Sequence, residues 1–148
     1  MKLVLLLVFC APAMNGMGFL ELEKIRGNYL LAFHNKKLCR DMIVELNGSS
    51  DPLRLAYSGG FRAIWARHIF NPISKFETFN NGKAEIEKAV LLDPENAEIR
   101  LIRFSVQSNA PRIAGYKNNM EEDKKLIKAN LQKMSSITLK ELLGKLIN

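Results

Sequence analysis

The side chains of this sequence best able to do chemistry are two histidines, one cysteine well inside the chain, four arginines at close spacing and a loop tyrosine. His34 and His68 are the histidines. A helical zinc site needs a second ligand one turn on, but Leu38 follows the first and Pro72 the second. No Cys-x-x-Cys, His-Glu-x-x-His or calcium-loop spacing occurs. Neither a Gly-x-Ser-x-Gly elbow nor a P-loop is present, and Gly59-Gly60 lacks the lysine and strand context of a phosphate loop. The acidic pairs Glu21/Glu23 and Glu121/Glu122 fall at expected helix starts, where the helix dipole accounts for them. The expectation is therefore no catalytic residue, no metal and no cofactor, although distant residues can converge in a fold.

Binding chemistry has more to work with. Arg100 and Arg103 are three residues apart and would share a helix face; with Arg62 and Arg67 on another helix they would line a basic groove. The alternative is that these are solvated surface cations. Tyr116 sits with Arg112 and Ile113 on the irregular stretch 110–116, and loops often carry binding residues. Its alternative is to pack down over a neighbouring helix. Arg62, Arg67, Arg100, Arg103 and Tyr116 are the partner-contact candidates. Aromatics do not interleave with these cations as they do in single-strand nucleic-acid grooves, so nucleic acid is not an expected partner. Cys39 reads as a buried, inert thiol.

The elements that must position these residues read as helices. The 148 residues are 47% hydrophobic and 25% charged, ordinary values for a globular chain that can bury its own core. The net charge of +7 is spread among interleaved acids, which favours a mixed-charge surface and allows only weak binding to anionic surfaces. Residues 1–18 have the layout of a secretory leader: Lys2, the apolar run Leu3 to Phe9, then Ala11, Ala13, Gly16 and Gly18. The run is far shorter than the roughly 20 residues a membrane span needs, so no transmembrane helix is expected in the mature chain. A retained N-terminal helix is the other reading of this stretch. Cys10 follows Phe9, and a lipoprotein signal wants a small residue there, which argues against lipidation. Export to the periplasm or medium is the expected localisation, with residues 19–148 forming one helical-hairpin domain.

Leu22, Ile25, Tyr29 and Phe33 recur at helical spacing, Asn35 breaks the pattern, and Leu38, Met42 and Leu46 resume it. Asp51-Pro52, Asn71-Pro72 and Asp93-Pro94 each combine a capping side chain with a proline suited to a first turn. Ala56, Ser58, Gly59, Gly60, Ala63 and Ala66 invite close approach of a neighbouring helix. Asn80-Asn81-Gly82 weakens the next helix and leaves open two shorter ones. Residues 99–106 carry apolar side chains on two faces, predicting a helix covered on both sides; their partial alternation leaves a strand as the alternative. Asn119-x-x-Glu122 and Thr138-x-x-Glu141 predict capping boxes, the second with an Ile137–Leu142 staple. The sum is an all-α chain of about seven antiparallel helices stacked as hairpins.

Residues 82–98, from Gly82 to Glu98, resemble the second helix of a tetratricopeptide repeat: Gly82, Ile86, Ala89 and Pro94 occupy that family's small, large apolar, alanine and proline positions. The preceding helix lacks the Trp-x-x-Leu-Gly-x-x-Tyr pattern, and the two Asp-Pro pairs are 42 residues apart, against roughly 34 in the family. The resemblance is to a divergent array. The Asn-Pro and Asp-Pro-Glu-Asn segments also resemble those of small exported bacterial helical proteins. That second resemblance brings no activity with it; the stacked-hairpin, tetratricopeptide-like reading implies a concave surface for a protein or peptide partner, hence a scaffold of the cell envelope. A periplasmic enzyme and a membrane-surface protein are the alternatives.

Overall fold

The computed structural model describes residues 15–147, and among these there are seven α-helices packed against one another and no strand. They are α1 (Asn15–Leu31), α2 (Lys36–Leu46), α3 (Pro52–Arg67), α4 (Pro72–Leu92), α5 (Ala97–Asn109), α6 (Met120–Asn130) and α7 (Ile137–Ile147). Short 3-10 turns at Arg112–Ala114 and Leu131–Lys133 flank α6. The leader expected over residues 1–18, with Cys10, falls largely outside the described residues.

Four helices start on a capping side chain, and at Asp51 and Asn71 it is the one expected from the sequence. The side chains of Asn35, Asp51, Asn71 and Asn96 each accept a backbone N–H from the first turn of α2, α3, α4 and α5. The start of α5 differs from the sequence reading: Asp93 closes α4, and the cap is Asn96, whose amide is held by Asp93. Neither predicted capping box forms. Asn119 makes no side-chain cap, and Glu122 reaches across to Arg100 instead. At α7 the hydroxyl of Ser136 accepts from the Leu139 amide, Thr138 donates to Glu23, and Ile137 points to solvent. At α6 a charged partner on another helix takes Glu122, whereas α7 starts at Ile137, so Ser136 makes the capping bond and Glu141 pairs with Lys145 on the same helix. The strand alternative at residues 99–106 is also set aside, because α5 is continuous and every residue from Glu98 to Gln107 is buried.

The α3–α4 pair forms the centre of the molecule. Gly59 and Gly82 face each other so closely that a Cβ on Gly82 would stand 2.5 Å from the Gly59 carbonyl oxygen. The glycine that weakens α4 in isolation is thus the one that lets it reach α3, and α4 runs unbroken from Pro72 to Leu92. Gly60 performs the same service toward α1, where a Cβ would meet the Tyr29 ring at 2.7 Å. Around that ring Tyr57 and Phe61 pack edge-on at 5.5 and 5.4 Å. Cys39 is fully buried, its Sγ against the Phe61 carbonyl, and burial pushes the thiol up to about 12. It is inert at neutral pH.

Candidate binding groove

Helix α5 carries two kinds of environment along its length. Its N-terminal half is tied down by buried ion pairs. Asp123, fully buried on α6, accepts from Arg103 Nε at 2.7 Å and Nη2 at 2.6 Å, and from Arg100 Nη1 at 2.8 Å. Arg103 also reaches Glu87 on α4, which accepts the hydroxyl of Tyr116. Glu98 takes both arms of Arg26 from α1 and the Tyr57 hydroxyl. Burial, followed by the hydrogen bond to Glu87, pushes the Tyr116 phenol well above its ordinary value. Burial opposes the charge on Arg103, and the bonds to Asp123 outweigh that effect and hold it protonated.

These contacts decide the fate of the sequence-derived candidates. Arg100 and Arg103 do come together, but on Asp123 inside the fold, and the solvated-cation alternative fails for both. Arg62 stands apart on α3, paired with Glu85 and Asn47. Tyr116 packs down against Phe79, with Lys83 over its ring. Arg67 is the one candidate of the set left facing solvent with no acid at ion-pair distance among the described residues. His34 is exposed, and His68 sits with Nε2 near the Ala32 carbonyl. Among the described residues no three His, Cys, Asp or Glu side chains gather as a metal site.

The C-terminal half of α5 opens onto a groove of about 710 Å³. This is in the size range of small-molecule sites, roughly 300–1,000 Å³. Its position follows from local chain chemistry. α3 ends at His68 and Asn71-Pro72 starts α4 in a new direction. Pro111, one residue past the α5 C-cap, turns the chain into the 112–114 turn, and Gly115 at φ 59° closes that turn in the left-handed region. The loop 110–116 then stands as one wall facing the first turns of α4. Tyr29, Phe33, Ile64 and Val106 line the interior, and Phe76 and Ile113 stand at the edge, Ile113 at 93% exposure.

The groove's polar content is small. The Tyr29 hydroxyl donates to Ser105 Oγ at 3.4 Å, and the Asn109 amide donates to the Ser105 carbonyl. Two charged residues line it, Arg67 and Lys75, and both are cations. The Arg67 guanidinium lies over the Phe33 ring at 5.4 Å, which holds it at the groove. Sequence reasoning singled out Arg67 but not Lys75, Phe76 or the pocket itself. The apolar run Phe70, Ile73, Phe76, left largely exposed on the structure, was the signal available for the groove's rim.

Comparisons with family models, with curated proteins and with solved structures find no match for this chain.

Proposed function

We propose that this protein acts by binding, and that the groove between α1, α3, α4 and α5 is where its partner or ligand sits. The observation that carries the reading is the groove's composition: an apolar interior of ligand size whose edge exposes Phe76 and Ile113 to water. Exposing large side chains around a concavity costs solvation free energy that an occupant would recover. The leader-like start supports a place in the cell envelope as a scaffold or carrier. The tetratricopeptide-like reading is supported by Gly82, Ile86 and Ala89, which are buried on α4, with Gly82 against α3 as that family's second helix packs on its first.

The test is binding of a neutral apolar fluorophore, N-phenyl-1-naphthylamine. Wild type should enhance its emission saturably. Ala114→Trp, which adds bulk at the groove wall, should abolish the enhancement with little change in the circular-dichroism melt. Equal enhancement by both proteins would place binding elsewhere and end the groove reading.

A further inference from the structure

Resting on that reading, we infer that the occupant is a single-chain anionic amphiphile, a long-chain carboxylate whose tail lies in the groove and whose head meets Arg67 and Lys75. Charge is the first argument. Among the described residues the groove's only charged lining side chains are these two cations, and no aspartate or glutamate lines it. Elsewhere Arg26, Arg54, Arg62, Arg100 and Arg103 each hold an acid, while Arg40 and Arg112, also unpaired among the described residues, do not line the groove. Among the described residues Arg67 and Lys75 hold none, so an incoming anion would meet two uncompensated charges. A guanidinium pairs with a carboxylate through two parallel bonds, and an ammonium adds a point charge beside it.

The second argument concerns the tail. The interior polar groups are already bonded to each other: Tyr29 to Ser105, and Asn109 to the Ser105 carbonyl. A peptide laid in this groove would bring backbone N–H and C=O groups that need partners, and the interior offers few. A methylene chain asks for none. The apolar lining therefore favours a hydrocarbon over a polypeptide.

Displacement of N-phenyl-1-naphthylamine from the full chain separates the possibilities, with dodecanoate, dodecanol and a peptide ending in apolar residues as competitors below their aggregation limits. Dodecanoate should displace the reporter at about tenfold lower concentration than dodecanol, as a charge-assisted contact would provide. That advantage should shrink with added salt and vanish in the double variant Arg67→Gln, Lys75→Gln, where it is read as the ratio of acid to alcohol potency so that any change in reporter affinity cancels. Equal potency of acid and alcohol, or an advantage that survives in the double variant, would overturn the inference and leave the groove reading standing. Displacement by the peptide but not by dodecanoate would overturn it in favour of a protein partner. No reporter binding by wild type would remove the groove reading itself.

Discussion

The two halves of α5 solve opposite problems with similar residues. Toward its N-terminus, three charged side chains, Glu98, Arg100 and Arg103, are buried and each has an ionised partner from α1 or α6. Toward its C-terminus, Ser105, Val106, Asn109 and the C-cap Ala110 face a groove whose cations pair with no acid among the described residues. Arginine thus does two jobs in one chain. Where it is paired and enclosed it fixes the packing of helices, because a guanidinium left alone in the interior is expensive. Where it is unpaired at an open edge it is available to something outside the chain. The difference lies in which helix carries the acid: α6 supplies Asp123 to one end, and no acid among the described residues pairs with Arg67 or Lys75 at the other.

The contrast breaks most severely at Asp123. Asp123→Ala should lose about 3 kcal/mol in urea unfolding, since it leaves the buried Arg100 and Arg103 with only the more exposed Glu122 and Glu87 as partners. A loss under 1 kcal/mol would mean that Glu122, Glu87 and water satisfy both arginines without Asp123, and that the closed half is not closed. Next comes the α3–α4 seam. Gly82→Ala should cost about 1–3 kcal/mol, because its Cβ meets the Gly59 backbone. Gly27→Ala, on α1 with no neighbour within 4 Å of the added carbon, should instead stabilise by up to about 1 kcal/mol. A smaller effect is expected at Gln107, fully buried on α5 with neither amide atom bonded within the protein. Gln107→Met should gain about 1 kcal/mol by removing that desolvation penalty.

The three tyrosines sharpen the comparison through pH. Burial comes first among the causes that hold all of them above their ordinary value of 10, with Tyr29 pushed up to about 12. A raised folded value means that the native state resists ionisation. Stability contributed by these phenols is complete below pH 10 and falls as pH rises through that value toward 12 and beyond. Tyrosinate absorbance should therefore be near zero in native protein at pH 10.5 and large in unfolded chain. The acid limb runs the other way. Glu23 is held below its ordinary 4.5: burial opposes its charge, and the hydrogen bonds from Arg26, Ser136 and Thr138 outweigh it. Its contribution is present above that value and is lost as pH falls below it. The smallest effect of all is expected at the open end, where Arg67→Gln with Lys75→Gln should leave stability within about 0.5 kcal/mol of wild type.

Most of the fold was legible because helices are local. Asp51-Pro52 and Asn71-Pro72 fixed starts to the residue, and the small residues Gly59, Gly60 and Ala63 announced a close crossing. The first capping box misled because Glu122 has a partner 22 residues away in sequence, and the second because α7 starts one residue before Thr138, which leaves Ser136 as its cap. The site was legible only in part for the same reason. Arg100 and Arg103 were grouped correctly, yet their burial depended on Asp123, a residue that reads in sequence as an ordinary acid of a helix's first turn. The groove is assembled from α1, α3, α4, α5 and a loop, and no spacing rule joins Phe33, Lys75 and Val106. The contact between α1 and α7, with Glu23 meeting Ser136 and Thr138, is likewise invisible to periodicity.

Whether the groove takes the proposed ligand is measured most directly by amide and methyl NMR shifts during titration with dodecanoate. Saturable shifts concentrated at Ala63, Ile64, Val106 and Ile113, with the Asp123 surroundings unmoved, are the predicted result. Shifts scattered over the basic surface, or none at these four residues, would contradict it.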